Sequence, residues 1–231
     1  QYEGLVCNAY EAIWGHGGAA MEGSRVLLDT PEARAGLGYL RELLVRGVSP
    51  SSVTSMTEEE ARHVFQNERA VFMRNWPYAW AEAQREGSPI RGRVGLSPLP
   101  TLSGEAGYGA LGGYQLAINA HSPSWKREAA LRFIAHMTSA ETNVTMALAY
   151  GRNPPRRAPY TDPRLTEGAR LIADLLPMIE RARPRPVTPY YPMITDALQA
   201  ELSAALVGIR PPAEALRRAQ AFVDHLTRGA R

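Results

Sequence analysis

The chain has 231 residues, 45% of them hydrophobic and 21% charged, with a formal net charge of +3 at pH 7. That length holds one large domain or two small ones, and the apolar content is enough for a core in a globular rather than a disordered chain. The sequence has no run of 18 apolar residues for a helical membrane span, and one cysteine, Cys7, which rules out a disulfide within the chain. Its basic residues are scattered. ALRRAQ and RARPRP are too short and too separated for a nucleic-acid stripe and read as solvated faces and loops.

Taken from the N-terminus, Leu5, Val6, Ala9, Tyr10, Ile13 and Trp14 recur at helical spacing, and GHGG ends that helix. Cys7 falls on the apolar face, where a buried free thiol is expected. Arg25 to Leu28 reads as a short strand. Thr30-Pro31-Glu32 opens a helix with a cap, a first-turn proline and an early acid, and Gly47 closes it. Thr57 and Glu60 form a capping box ahead of Ala61, Val64 and Phe65. Ala70 to Met73 is continuously apolar, the pattern of a strand covered on both faces. WPYAW follows, then a helix in AEAQRE ending at Gly87.

Arg93 to Ser97 and Tyr114 to Ile118 are the remaining short strands. Ser122-Pro123 caps a helix with Ala130, Phe133, Ile134 and Met137 turned inward, and Ser139 opens another that Gly151 ends. After the proline-rich RNPPRRAPYTDP, helices are expected around Leu165 to Leu176 and Ile194 to Val207, with Pro211-Pro212 opening the last. Strands alternating with helices predict an α/β class. The helix excess, and a start at QYEGLVCNAYEAIW without initiator Met, signal peptide or cap, predict a piece of a longer protein.

GYGALGGYQLAIN contains a literal G-x-G-x-x-G at Gly107, Gly109 and Gly112. A dinucleotide loop needs a strand leading in and a helix leading out, so that the helix N-terminus faces the pyrophosphate. Here the loop PLPTLSGEA precedes the glycines, and a period-2 strand pattern follows them. The cofactor reading is therefore weak, and no cofactor is expected.

The histidines show no zinc spacing, and neither a G-x-S-x-G elbow nor a phosphate-loop lysine is present. Nothing marks a carboxylate pair for glycoside hydrolysis. What stands out is aromatics beside turns: Trp76 and Tyr78, Tyr114 after Gly-Gly, and Tyr190 and Tyr191 between prolines. Flat rings at element ends can stack on the apolar C–H faces of sugars, while neighbouring polar groups bond the hydroxyls. For any one ring, ordinary core packing is the competing explanation.

The pieces YEGLVCNAYEAIWGHGG, FQNERAVFMRNWPYAW, GGYQLAINAHSPSWKREAALRFIAHMTSAE, GRNPPRRAPYTDP and YYPMITDALQAELSAALVGIRPPAEALRRAQAFV occur in this order. Together they resemble the last three-fifths of a bacterial extracellular solute-binding protein of the maltose/trehalose type, the receptor subunit of a sugar ABC importer. The resemblance implies a type II, periplasmic-binding-protein-like fold of two α/β lobes, here lacking most of the N-terminal lobe. Residues 1–112 and 161–231 would belong to the C-terminal lobe, and 113–160 would supply a crossing strand and helices to the N-terminal lobe.

It also implies sugar stacking on Trp76 and Tyr191, with Gly113 and Tyr114 at the interlobe cleft, where Gly112-Gly113 would let backbone approach the ligand. Arg156 stands in a G-x-x-P-x-R position suited to bidentate bonds to hydroxyls, with Arg157 as its neighbouring rival, and Tyr2 is a weaker contact. The implied partners are a disaccharide (maltose, trehalose or sucrose class), ABC permease membrane subunits and a chain carrying the missing lobe half, with no nucleic acid and no metal. The implied location is periplasmic or extracellular, lipid-anchored or free in the full-length precursor. The alternative from another class is a carbohydrate-active enzyme fragment, such as a glycosidase.

Overall fold

The computed structural model describes residues 2–228. In chain order the helices are α1 (Glu3–Gly15), α2 (Pro31–Val45), α3 (Glu58–Gln66), α4 (Tyr78–Ala83), α5 (Ser124–Met137), α6 (Ala140–Tyr150), α7 (Pro163–Gly168), α8 (Arg170–Asp174), α9 (Leu176–Arg181), α10 (Tyr191–Leu206) and α11 (Pro212–Thr227). Strands β1 (Met21–Glu22) and β2 (Arg25–Val26) form a two-stranded antiparallel pair. Among the described residues, unit 1 comprises 2–61, 97–111 and 181–228; unit 2 comprises 62–96 and 112–180. One change of unit thus falls between Leu111 and Gly112, and residues 62–96 group with 112–180.

Unit 1 is a helical layer of α1, α2, α10 and α11. The apolar face read from the sequence supplies its core: Val6, Tyr10 and Ile13 of α1 pack with Leu37, Ile194, Leu198, Leu202 and Leu216, all nearly or fully buried. Thr30 caps α2 as expected, its hydroxyl oxygen accepting from the Ala33 N–H at 3.1 Å. Buried Gln220 of α11 ties the hairpin to the helices. Its Oε1 accepts from Leu28 N at 2.7 Å and Asp29 N at 3.3 Å, and its Nε2 donates to Val26 O at 3.0 Å. These bonds satisfy backbone groups that the short β2 leaves without a ladder partner.

Unit 2 packs α6, α7 and α8 around Val144, Ala147, Leu165 and Ile172. Ser139 caps α6, accepting from Thr142 N at 3.2 Å, and Gly151 ends it in the left-handed region at φ 64°. A side chain there would also collide with Ala81 of α4, so Gly151 is fixed both by its turn and by its neighbour.

Several expected elements differ. Ala70 to Met73, Arg93 to Ser97 and Tyr114 to Ile118 carry no strand. Val71, Phe72 and Leu116 are exposed rather than covered. A strand needs a ladder partner for its amides, and no described segment provides one. The α5 face expected to turn inward is not buried either; Phe133 is exposed, and Ala130, Ile134 and Met137 are half-buried. Pro123, not Ser122, is the N-cap of α5, with no side-chain cap bond. The single helix expected over Leu165 to Leu176 is three short ones, broken first at Ala169 (φ −146°, ψ 49°). The helix expected within AEAQRE starts earlier, at Tyr78 behind Pro77.

Candidate functional site

Several backbone amides of the glycine loop are engaged in packing contacts. Gly107 N donates to Leu99 O at 2.8 Å, Ala110 N to Glu11 Oε1 at 2.9 Å and Leu111 N to Arg183 O at 2.8 Å. Three amides of this stretch are therefore already satisfied within unit 1. A parallel bridge pairs Ala110 with Arg183, and the Arg183 guanidinium lies 3.4 Å from the centre of the Tyr108 ring. RARPRP is thus not merely a solvated loop. Its alternate arginines dock onto unit 1, with Arg181 Nη2 donating to Ala106 O at 2.7 Å.

Trp76 sits at the start of the turn into α4, its N–H donating to Asn75 Oδ1 at 2.8 Å. Its benzo edge lies against Gly112, where a Cβ would stand 2.8 Å from Cζ3 and 3.0 Å from Cη2. Smallness at Gly112 therefore makes room for the indole of Trp76, a different reason from the ligand approach expected of Gly112-Gly113. The Arg74 guanidinium lies over the Trp76 ring, 4.6 Å from its centre. Next in the chain come Gly113 and Tyr114, whose side chain is 98% exposed. Arg157 is paired with Glu180 at 2.7 Å, whereas exposed Arg156 has no ion-pair partner among the described residues. Trp76, Gly113, Tyr114 and Arg156 all belong to unit 2.

Tyr191 and Tyr2 belong to unit 1. Tyr2 is the extended N-cap of α1, its ring folded onto Gly4. Tyr191 opens α10, and its hydroxyl donates to Glu3 Oε1 at 2.5 Å. Thr195, one helical turn on, donates to the other Glu3 oxygen, and Arg185 Nε completes the cluster 2.9 Å from Glu3 Oε1. Arg185 Nη1 also donates to Cys7 Sγ at 2.7 Å, so the buried thiol is free of disulfide but carries a cationic neighbour. Burial first, then the hydrogen bond to the Glu3 carboxylate, raises the Tyr191 phenol above its ordinary pKa. Burial chiefly, with the charges of Tyr191 and Glu3 adding to it, raises Tyr10 likewise. The buried Tyr10 hydroxyl has no hydrogen-bond partner among the described residues.

Glu3, Thr195 and Arg185 were not singled out from the sequence. Their pairing spans more than 180 positions, and only the early acid beside Tyr2 hinted at it. The described residues line open clefts that include one of about 360 Å³ in unit 1 around His16, Glu105, Tyr108 and Arg183, and one of about 330 Å³ in unit 2 around His63, Gln66, Glu82 and Ser88. Neither is lined by a residue predicted from the sequence. Among the described residues no group of three or more His, Cys, Asp or Glu could hold a metal ion.

Each unit thus places aromatic and guanidinium groups at the ends of its elements. A model of the family of bacterial extracellular solute-binding proteins matches residues 3–171. The chain belongs to that family.

It is 34% identical over 221 residues to a Deinococcus radiodurans protein described as a "Probable ABC transporter-binding protein", covering 94% of this chain and 52% of that one. It is similar to the maltose-bound structure of T. maritima MalE3, with 39% identity, a TM-score of 0.92 and coverage of 97% of this chain and 58% of that one. A solute-binding protein from Agrobacterium radiobacter K84 in complex with ribitol is 25% identical at a TM-score of 0.81, covering 94% and 56%. The fold is that of the type II periplasmic sugar-binding proteins, and the chain spans somewhat over half the length of the relatives it matches.

Proposed function

We propose that this chain is the larger part of the substrate-binding component of a sugar ABC importer, a non-catalytic receptor for an α-glucoside disaccharide of the maltose, trehalose or sucrose class. Trp76 and Tyr191 are its stacking platforms, and Tyr114, Gly113, Arg156 and Tyr2 its further ligand contacts. The observation that carries this reading is the fitted pair Trp76–Gly112 beside the exposed ring of Tyr114, in a chain 39% identical to a maltose-bound relative. An indole offers a flat, electron-rich face to sugar C–H groups, and an unpaired guanidinium supplies a planar fork of donors for hydroxyls.

The receptor delivers its sugar to membrane permease subunits from the periplasmic or extracellular side. We also propose that the complete receptor includes an N-terminal half like that of the relatives, on the same or another chain. The exposed Val71, Phe72, Leu116, Trp125, Leu131 and Phe133 of unit 2 support this, because that much apolar surface favours coverage by protein. Calorimetry with maltose, trehalose and sucrose, on this chain alone and on the complete receptor, tests the reading. Saturable binding of at least one sugar by the complete receptor is the expected result. A folded complete receptor that binds none of them, or that turns over a chromogenic glucoside through a single Asp or Glu, would overturn it.

A further inference from the structure

We infer that Glu3 is a positioning residue for Tyr191, an assignment that rests on the sugar reading above. Glu3 lies in the first turn of α1, and Tyr191 and Thr195 lie one turn apart at the start of α10. The Tyr191 hydroxyl donates to one oxygen of the Glu3 carboxylate and the Thr195 hydroxyl to the other. Arg185 Nε stands 2.9 Å from the first oxygen as an ion-pair partner, not an aligned donor. All four residues belong to unit 1. The Tyr191 backbone is held as well, its N–H donating to Thr188 O at 3.1 Å. The remaining freedom is that of the half-buried side chain, and its hydroxyl end is tied to a carboxylate on a second helix. A hydrogen bond to an ionised acceptor is stronger than a neutral one. It therefore sets the ring direction before a ligand arrives and removes an ordering cost from the binding step. Burial first, then this bond, raises the pKa of the phenol, so the hydroxyl stays a donor throughout the neutral range.

A double-mutant cycle on the complete receptor tests this, with maltose affinity measured by calorimetry for wild type, Glu3→Ala, Tyr191→Phe and the double variant. Glu3→Ala should weaken binding about fivefold, the factor equivalent to about 1 kcal/mol. Tyr191→Phe keeps the ring but loses the tether, so it should cost as much, and the double variant should be no worse than either. Glu3→Gln keeps an acceptor for the hydroxyl and should recover most of the loss. An acid in the first turn of α1 also favours the helix dipole, but that contribution alone gives no coupling to Tyr191. Without ligand, the Hα–Hβ couplings of residue 191 should average over rotamers in Glu3→Ala, a readout that general destabilisation does not predict.

Losses that add in the double variant would give Glu3 and the hydroxyl separate roles and overturn the inference alone. So would full affinity in Glu3→Ala when Tyr191→Ala binds weakly, or a Glu3→Gln receptor as weak as Glu3→Ala. A Tyr191→Ala receptor with unchanged affinity would overturn the platform reading of Tyr191 and this inference with it. If Glu3→Ala does not fold, Tyr191→Phe decides. A loss of about fivefold with averaged couplings at residue 191 supports the assignment, and a loss without averaging, or no loss, contradicts it.

Discussion

Gly112 and Trp76 show how a residue read from the sequence for one reason can be required for another. The tandem glycines were conspicuous in the sequence, and so was the tryptophan at a turn, but their contact spans 36 positions of chain and was not legible. A Gly112→Ala variant places a methyl 2.8 Å from the indole, so the ring must move. Sugar affinity should fall about as far in this variant as in Trp76→Ala, for which losing a platform of about 1–2 kcal/mol predicts roughly a tenfold weaker Kd by calorimetry. The paired arginines separate in the same way. Arg157 is engaged with Glu180, so Arg157→Lys should leave affinity nearly unchanged, whereas Arg156→Lys should weaken it several-fold by losing the planar fork. Equal losses would assign ligand contact to both. Arg74, Glu3 and Arg185 escaped the sequence reading because an ion pair or a cation over a ring leaves no periodic signature.

At the level of elements, the long helices were legible because their signals are local. The apolar spacing of α1, Thr30 before α2, and Ser139 with Gly151 around α6 each lie within a few residues of what they specify. The three missing strands were misread because alternation and apolar runs record how side chains would point, not whether a partner strand exists. Where β2 runs out, Gln220 of α11 takes over the bonding. Gln220→Leu should therefore cost about 2–3 kcal/mol in chemical denaturation, because two backbone amides and a carbonyl lose their partner and Leu28 N is buried. The junction of α1 and α10 predicts a pH dependence. Folding holds Tyr10 and Tyr191 protonated above their ordinary 10.0, so the folded chain binds more protons than the unfolded chain once pH passes that value. The associated stability is fully present below about pH 10 and is lost as pH rises further. Denaturation midpoints at pH 8 and pH 11 should show this fall, and Tyr191→Phe should reduce it.

For the molecule as a whole, the solute-binding fold was legible because five segments resemble the family in order, whereas among the described residues the sheet expected of an α/β class is represented by two strands of two residues each. Both facts agree with a chain that spans somewhat over half of its relatives' length and leaves apolar side chains of unit 2 open to solvent. Alone, the chain should associate or bind a hydrophobic dye, and adding an N-terminal half should suppress both in light scattering and fluorescence. A monodisperse, dye-silent chain that binds maltose by itself would contradict that expectation. The central claim is that Trp76 is a sugar platform, and the most direct measurement is a crystal structure of the complete receptor with maltose. The account predicts a pyranose ring stacked on the Trp76 indole, with Arg156 within hydrogen-bonding distance of a hydroxyl. Maltose bound away from Trp76, with Arg157 alone reaching it, would contradict the account.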